Sequence, residues 1–376
     1  MKRLLLLGGG LQGLSCGDSL RNEGFVVDVV SNELQIKKSC FFKKVYSDGY
    51  KSTDESVLKI LKESHYDVVI PMGDMNVSRL SQHKEQIEHE LDCKCACPTQ
   101  DELRQVEDKH LFMQFCKANS IPHPKTRPLN DNDLDRAAEE VGFPALIKPD
   151  FSVGARGITR VDSVAELKEK YPAVKEKFGE CTLQELIDNK DYYYNVMLYR
   201  NREGRILAHT IIKIVRMYPI EAGSSTCCVS IEDDKLLAIC EYCLKKLDWV
   251  GMADFDVLQR KDNGEYKIIE INPRVPASLR AAQISGVNFP EIIALDAMGE
   301  AVSHYNYMPG KVLRYMGTDL MWMLKSGKVF KAQPSWFKFY GRNLSYQDIY
   351  ASDPSTWWTW LAEGIMKIKK RNKRLR

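Results

Sequence analysis

Two short segments of this chain place carboxylates inside apolar runs. Asp254 and Asp256 flank a phenylalanine, and Glu270 and Asn272 flank an isoleucine further along the chain. Because side chains alternate along a strand, each pair projects to one face of its strand. The polar stretch 261–265 between the two segments is typical of a hairpin turn, which would bring the two pairs together.

The predicted hairpin gathers oxygen atoms into one cluster. Asp256, Glu270 and Asn272 would contribute two carboxylates and one amide carbonyl. Hard divalent cations such as Mg²⁺ bind such oxygens and often share them with substrate phosphates. The alternative is a solvated hairpin face, but the isoleucines of the second segment predict a buried strand, where free carboxylates are costly. The pattern therefore predicts a magnesium site at these three residues.

Length and composition predict a soluble globular protein of two or three domains. The chain has 376 residues, of which 44% are hydrophobic and 28% are charged. No segment is long and apolar enough to predict a transmembrane helix. The 11 cysteines are an odd number and lie mostly in apolar runs, which predicts reduced thiols and a cytoplasmic protein.

Residues 1–105 alternate strand-like and helix-like segments, which predicts a parallel sheet. The predicted strands are 3–7, 26–30 and 68–71, and the predicted helices are 12–23, 56–63 and 76–90. Asp74 follows the third of these strands, at the edge where parallel sheets open their binding crevice. It would either contact a substrate there or cap the next helix.

A glycine-rich turn follows the first predicted strand. Gly8, Gly10 and Gly13 have the G-x-G-x-x-G spacing, and Asp28 lies in the second strand. This is a dinucleotide fingerprint, and it raises a nicotinamide-dependent oxidoreductase as a rival function. The same glycines would also serve a tight strand-to-helix turn with no cofactor bound.

A lysine ends an apolar strand in the middle of the chain. Lys148 follows Ala-Leu-Ile, and a glycine-containing loop comes next at 152–158. Such a loop between two strands can fold its backbone N–H groups over phosphates, although it lacks the P-loop spacing. A hairpin turn without a ligand is the alternative.

The last part of the chain differs in composition. Residues 311–376 hold five of the six tryptophans, and 367–376 contain seven basic and no acidic residues. Trp357, Trp358 and Trp360 before a basic segment would suit an anionic membrane surface. The alternative is packing of these rings on the protein body, followed by a solvated end.

Taken in order, these features resemble the ATP-grasp superfamily of ATP-dependent ligases over about residues 1–300. The order is a strand lysine, a glycine loop, Gln-Glu-Leu-Ile at 184–187, and Glu-Ile-Asn-Pro-Arg at 270–274. The resemblance implies an α/β and α+β fold, in which a Rossmann-like (pre-ATP-grasp) parallel-sheet domain precedes a two-part ATP-grasp domain. The implied bounds are 1–105 for the first domain, 106–183 for the small lid subdomain, 184–310 for the large subdomain and 311–376 for a Trp-rich extension with a basic tail.

The resemblance also implies roles for individual residues. Residues matching nucleotide contacts are Lys109, Lys148, Ser152, Gly154, Gly157, Gln184, Glu185, Leu186, Ile187 and Asp191. Those implied in catalysis are Lys148, Arg274, Lys213 and Arg216, and those matching metal ligands are Asp256, Glu270 and Asn272. Many members carry glutamate where this chain has Asp191 or Asp256, so the carboxylate reaches less far here.

The implied activity is a carboxylate–amine ligase that uses ATP and two Mg²⁺ ions, with Mn²⁺ as a substitute. The chain is similar to half of a carbamoyl phosphate synthase large subunit and to D-aspartate ligase-type enzymes, which implies amide or peptide-like bond formation in cell-wall or surface-polysaccharide biosynthesis. Carboxyphosphate chemistry on bicarbonate and a non-catalytic scaffold are the alternatives. Expected partners are small-molecule carboxylates and amines and no nucleic acid; a homodimer and a membrane or lipid-linked glycan contact through the basic tail stay open.

Overall fold

The computed structural model describes residues 1–47, 54–151, 157–189, 191–220 and 223–359. Two predicted site residues, Ser152 and Gly154, lie outside these ranges. Trp360 and the basic tail also lie outside them. Within the described residues, three β-sheets carry the fold.

The first sheet is parallel, as predicted. Its strands are β1 (Arg3–Leu7), β2 (Val26–Val30), β3 (Lys44–Tyr46), β4 (Val68–Pro71) and β5 (Lys94–Cys95), in the order β3-β2-β1-β4-β5. The helices around it are α1 (Gly10–Asn22), α2 (Leu34–Lys38), α3 (Asp54–Glu63), α4 (Asp74–Gln82), α5 (Lys84–Glu90) and α6 (Gln100–Glu107). The one helix predicted at 76–90 is wrong: it is divided into α4 and α5 because the backbone leaves the helical region at His83 (φ −109°, ψ 7°).

The second sheet is small and antiparallel. After α7 (Lys109–Ala118), it contains β6 (Thr126–Pro128), β7 (Ala145–Pro149), β8 (Thr159–Val161) and β9 (Cys181–Glu185), in the order β6-β9-β7-β8. Its helices are α8 (Leu134–Val141) and α9 (Val164–Phe178). The apolar faces of these helices and strands form a core of their own, which makes this layer a separate packing unit.

The third sheet has seven strands. They are β10 (Tyr193–Arg200), β11 (Ile206–Tyr218), β12 (Ser224–Ile231), β13 (Gly251–Gln259), β14 (Tyr266–Asn272), β15 (Val312–Arg314) and β16 (Leu344–Tyr346), in the order β14-β13-β10-β11-β12-β15-β16. Its helices are α10 (Asp234–Leu247), α11 (Arg280–Ile284), α12 (Phe289–Ala297) and α13 (Met316–Ser326). One face packs with α10, and the other packs toward the first sheet. The predicted α/β and α+β fold class is confirmed.

Two predicted domain bounds do not coincide with breaks in this architecture. The bound at residue 184 falls inside β9, which pairs with β7 in the small sheet. The bound at 311 precedes β15, which pairs with β12, so the C-terminal segment supplies strands to the large sheet. Sequence alternation locates strands but does not show which sheet they join, because pairing depends on distant partners.

Asp348 is a buried carboxylate just after β16. It is 0% exposed, and neither of its oxygens has a well-aligned hydrogen bond within the described part of the chain. Burial raises the pKa of Asp348 to about 6, while the nearby backbone N–H groups of Asp348 and Met316 and the charge of Arg280 oppose that rise. Because the folded state holds this proton more tightly than the unfolded chain does, Asp348 makes the fold less stable as pH rises from 3.8 to about 6.

We predict that Asp348→Asn stabilises the protein at pH 8 but not at pH 4. The substitution removes the cost of ionising a buried carboxyl, which is worth up to about 3 kcal/mol for a pKa raised by about two pH units. Urea unfolding of both proteins at pH 4, 6 and 8 measures the difference. The free energy of unfolding of Asp348→Ala should depend on pH in the same way, displaced by a constant amount. A stability difference between Asp348→Asn and the parent that does not change with pH would contradict the prediction.

Candidate active site

The predicted hairpin is present and sets the geometry of the site. β13 and β14 are antiparallel, with Asp256 opposite Glu270 and Asp254 opposite Asn272. Directly opposed residues share a face, so the four polar side chains lie together. The structure thus brings together the three residues predicted to bind metal.

Asn195 completes this polar cluster from the neighbouring strand. It lies on β10 directly opposite Asp256, and its Nδ2 donates a hydrogen bond to Asp256 Oδ1. On the other side, Asn272 Nδ2 lies 3.5 Å from Asp256 Oδ2. Sequence analysis missed Asn195, although a single amide in an otherwise apolar strand was a usable signal.

The two facing carboxyls titrate as a pair. Burial raises the pKa of Asp256 well above its usual value, and the adjacent Glu270 raises it further. Burial also opposes ionisation of Glu270, but the hydrogen bond with Asp256 and the charges of Lys148 and Lys109 outweigh it and lower the pKa of Glu270. Without a cation between them, the pair therefore favours a single negative charge, on Glu270.

Lys148 reaches this pair from the small sheet. It is buried on β7, and its Nζ donates a 3.0 Å hydrogen bond to Gln184 Oε1 on β9. Burial lowers the pKa of Lys148, whereas the charge of Glu270 raises it. A buried ammonium that interacts with Glu270 and Asp256 connects the small sheet to the hairpin.

Arg274 ties the hairpin to the first sheet. Its Nε lies 2.6 Å from Asp74 Oδ1, and its Nη2 lies 3.3 Å from Asn272 Oδ1. Asp74 is the first residue of α4, and Gly73 is the N-cap, so the capping alternative for Asp74 is wrong. The carboxylate instead holds the arginine in place beside the polar cluster.

Asp254 is a further buried carboxyl in the same place. It is 2% exposed, and its Oδ1 has no hydrogen-bond partner among the described residues. Burial raises the pKa of Asp254 to about 8, although the charge of Arg274 opposes this. The sequence showed that Asp254 shares a face with Asp256 but did not single it out as a site residue.

A cavity of about 770 Å³ opens over these groups. Its charged and amide lining residues are Asp74, Glu107, Lys109, Asn195, Asp254, Asp256, Glu270, Asn272, Arg274 and Gln347. Its hydroxyl-bearing lining residues are Tyr193, Tyr218, Ser224, Ser225, Thr226, Ser278, Tyr315 and Thr318. The volume is that of a small-molecule site, with one strongly charged part and one neutral polar part.

The predicted nucleotide hinge has most of its polar groups engaged. The Glu185 carboxylate pairs with Arg260 and accepts from the Lys125 backbone N–H at 3.1 Å. The backbone N–H groups of Glu185 and Leu186 donate to the carbonyls of Lys125 and Pro144. In the described structure, the Ile187 N–H is the hinge amide that remains without a backbone acceptor.

Asp191, predicted to hold a ribose, lies apart from the cavity lining in this state. Its side chain is 78% exposed and pairs with Lys328 at 2.9 Å. The hydrogen bond and charge of Lys328 lower the pKa of Asp191. A role in binding the ribose would require Asp191 to leave Lys328.

The structure does not bring Lys213, predicted to be catalytic, to the polar cluster. Lys213 lies opposite Tyr194, whereas Asn195 lies opposite Ile212, so alternation places Lys213 on the other face from Asp256. Its Nζ lies 3.6 Å from the centroid of the Tyr192 ring, a cation–π contact.

Arg216, also predicted to be catalytic, lies outside the cavity lining. The side chain is 2% exposed, and its Nε and Nη2 pair with both oxygens of Asp319 at 2.7 and 3.1 Å. Its Nη1 donates to the carbonyl of Pro334 at 2.8 Å. The guanidinium is thus engaged by the C-terminal segment, which sequence reading could not show because Asp319 lies about a hundred residues away.

The glycine-rich turn at the first strand is filled by the chain itself. The Glu33 carboxylate accepts a hydrogen bond from the Gly10 N–H at the start of α1, where a pyrophosphate would lie. Asp28 is 0% exposed, pairs with Arg3 and accepts from the Tyr66 hydroxyl at 2.7 Å. This geometry favours the tight-turn alternative over dinucleotide binding.

Gly157 belongs to the predicted phosphate loop, and its backbone conformation suits glycine alone. Its φ is +78°, and an added Cβ would lie 2.8 Å from the Phe178 ring and 2.8 Å from Pro149 Cγ. Gly179 has a similar φ of +85°, but nothing lies within 4 Å of its Cβ position. The two glycines therefore separate the effect of backbone strain from that of steric contact.

We predict that Gly157→Ala destabilises the protein by about 1–3 kcal/mol more than Gly179→Ala, because only the first places a methyl group against a packed ring. Urea unfolding of both variants measures the difference. Equal free energies of unfolding for the two variants would contradict the prediction, because they would mean that Phe178 and Pro149 move aside without loss of stability.

Comparison with known proteins agrees with this architecture. Residues 106–278 match the family model described as an ATP-grasp domain. The chain is 28% identical over 299 residues to a carbamoyl phosphate synthase large chain of Methanothermobacter thermautotrophicus, covering 75% of this chain and 28% of that protein. It is 23% identical over 268 residues to a D-aspartate ligase of Enterococcus faecium, covering 64% of this chain and 62% of that protein. The chain thus spans less than two thirds of the length of these relatives.

Solved structures with the same fold have lower sequence identity. A biotin carboxylase of Campylobacter jejuni superposes with a TM-score of 0.69 at 16% identity, covering 81% of this chain and 73% of that chain. An N5-carboxyaminoimidazole ribonucleotide synthetase of Thermotoga maritima superposes with a TM-score of 0.62 at 21% identity, covering 83% of this chain and 80% of that chain. The fold, the matched residues and the named relatives together show that this protein carries an ATP-grasp domain at residues 106–278.

Proposed function

We propose that the protein is an ATP- and Mg²⁺-dependent ligase that activates a carboxylate as an acyl phosphate for attack by an amine. The observation that carries the proposal is the convergence of Asp256, Glu270 and Asn272 on one face, with the buried Lys148 acting on Glu270. They lie beside a cavity large enough for a nucleotide and a small substrate. The ATP-grasp match and the ligase names of the relatives support the same assignment.

The polar cluster fits a hard divalent cation. Two facing, partly buried carboxyls, beside an Asp254 Oδ1 that has no hydrogen-bond partner among the described residues, are unfavourable unless positive charge lies between them. Two carboxylates and one amide oxygen suit Mg²⁺, which takes one or two carboxylates and completes its shell with water and phosphate oxygens. Asp256, Glu270 and Asn272 would hold it, and it would supply charge neutralisation at the transferring phosphate.

The remaining charged groups can position the reactants. Lys109 lines the cavity, and the charge of Lys148 acts on Glu270 of the cavity lining, so both ammonium groups can help to neutralise phosphoryl oxygens. Arg274, oriented by Asp74, can hold the acyl phosphate, since a guanidinium suits phosphate and carboxylate oxygens. Phosphoryl transfer asks for such positioning rather than for a protein nucleophile.

The identity of the two substrates is a narrower proposal. The D-aspartate ligase relative supports a ligase that joins an amino acid to a second substrate, which we propose to be an amine. A place in cell-wall or surface-polysaccharide biosynthesis is a further proposal. Carboxyphosphate chemistry on bicarbonate is the second candidate, and it is supported by the carbamoyl phosphate synthase relative and by the carboxylase fold. Phosphate release stimulated by bicarbonate alone would favour the second candidate, whereas release that needs both an amino acid and an amine would favour the first.

Location and assembly also stay proposals. None of the helices in the described ranges is long and apolar enough to cross a membrane. A cytoplasmic ligase, alone or as a homodimer, fits the small-molecule site. The membrane role predicted for the basic tail falls on residues that the structure does not describe.

We predict that Glu270→Gln lowers Mg²⁺-dependent ATP turnover by at least about a hundredfold, because it removes an anionic ligand from the cation that carries the phosphates. Phosphate release during a screen of amino acids, uronic acids and bicarbonate measures turnover. Glu265→Gln is the matched control, since Glu265 lies in the turn of the same hairpin and pairs with Lys267 outside the cavity lining. Turnover unchanged in Glu270→Gln would refute the metal assignment.

A second prediction compares Lys148, which lies beside the polar cluster, with Lys213, which lies on the other face of the large sheet. Lys148→Met should lower ATP turnover by about a hundredfold, since it removes a buried charge beside Glu270. Lys213→Met should change turnover by less than about threefold, because its ammonium contacts a tyrosine ring on the far face. Equal losses in the two variants would contradict the assignment of faces.

A further inference from the structure

Exposed apolar side chains cluster on α13 and on the chain segment that follows it. We call residues 320–342 the aromatic surface. Its exposed large apolar side chains are Leu320, Met321, Leu324, Phe330, Phe337, Phe339 and Tyr340. Phe330 and Tyr340 are each 88% exposed, which is a large exposure for aromatic side chains.

The aromatic surface is held in place from beneath. Trp336 is buried, and its Nε1 donates to the Asp319 backbone carbonyl at 3.2 Å. The Phe337 and Phe339 rings contact Trp336 edge-on, with centroids 5.5 and 5.2 Å away. Phe330 lies 5.6 Å from Phe337. The exposed rings are therefore presented on a fixed base.

The exposed charged side chains of the aromatic surface are all basic. Exposed basic residues follow one another along it, namely Lys325, Lys328, Lys331, Lys338 and Arg342. The one acidic residue of α13 and the aromatic surface is Asp319, which is 0% exposed and paired with Arg216 and Arg314. A partner for this face must accept both apolar rings and several positive charges.

We propose that the aromatic surface docks the protein onto an anionic membrane. Amphipathic surfaces with aromatic rings and lysines on one side bind at the boundary between headgroups and acyl chains. Each lysine near an anionic leaflet adds attraction, and exposed aromatic rings favour the interface. A second copy of the chain suits this face less well, because it would bring like charges together.

The proposal concerns residues other than the basic tail and does not depend on the ligase activity. It would keep the cavity close to a membrane surface, since Thr318 of α13, two residues before the aromatic surface, lines the cavity.

The test is co-sedimentation of the full chain with vesicles. We expect binding to vesicles of phosphatidylglycerol and phosphatidylcholine and at least about tenfold weaker binding to phosphatidylcholine alone, because the lysines need an anionic surface. Phe330→Ser with Tyr340→Ser should weaken binding to the anionic vesicles by at least about tenfold, since two rings lose their place in the interface. Lys331→Glu with Lys338→Glu should act in the same direction without altering any apolar side chain.

Trp358→Ser is the matched control, because Trp358 is also an exposed ring but lies next to the basic tail. Its binding should stay within about twofold of the parent. Equal partitioning of the parent and the Phe330/Tyr340 variant, or loss confined to Trp358→Ser, would overturn the proposal. A parent that forms dimers through this face and ignores vesicles would overturn it as well. An unchanged unfolding midpoint in each variant excludes loss of the fold as the cause.

Discussion

The structure depends on one costly arrangement, the two carboxyls of Asp256 and Glu270 that face each other across a buried pair of strands. An ionised carboxylate in a poorly solvated place is unfavourable, and a second one opposite it is more so. The chain reduces that cost with the amide of Asn195, the ammonium of Lys148 and a shared proton. These groups hold the pair at a single negative charge. A cation that arrives with its substrate would displace the shared proton and let both carboxyls ionise.

The charged groups around the Asp256–Glu270 pair come from three different sheets, so the cavity lies where the sheets meet. Lys148 comes from the small sheet, the carboxyls come from the large sheet, and Asp74 comes from the start of a helix on the first sheet. The first and large sheets share one apolar core, which includes Leu6 and Ile212, whereas the small sheet has a core of its own. The ion pair of Arg274 with Asp74 adds a geometric restraint between the first and large sheets, because a bidentate guanidinium tolerates little displacement.

The parts of this site that the sequence predicted are those set by local periodicity. Asp256 opposite Glu270 follows from two alternating strands and one short turn, and the parallel first sheet follows from its regular pattern of elements. The positions of Lys213 and Arg216 relative to the cavity could not be predicted from periodicity. β10 and β11 are joined by the short turn at 201–205, but their register shifts between Tyr199 and Arg200. Because of that shift, alternation counted from the turn assigns the side chains of β11 to the wrong face. The strand alternation of β11 was visible, but its phase relative to Asp256 was not.

Arg216 shows a second limit, since its partners are far away in sequence. Arg216 and Arg314 share the single carboxylate of Asp319, all nearly without exposure, so this cluster holds more positive than negative charge. The excess is met by the carbonyls of Pro334 and Lys338 and by the rings of Trp322 and Trp336 beside the guanidinium groups. These contacts can form only if the chain after α13 folds back over the large sheet. The buried arginines therefore fix the very segment whose other side presents Phe330 and Tyr340 to solvent. Covering the core of the large sheet does not require large rings on the solvent side of the segment after α13. We therefore interpret the exposed rings as a binding surface.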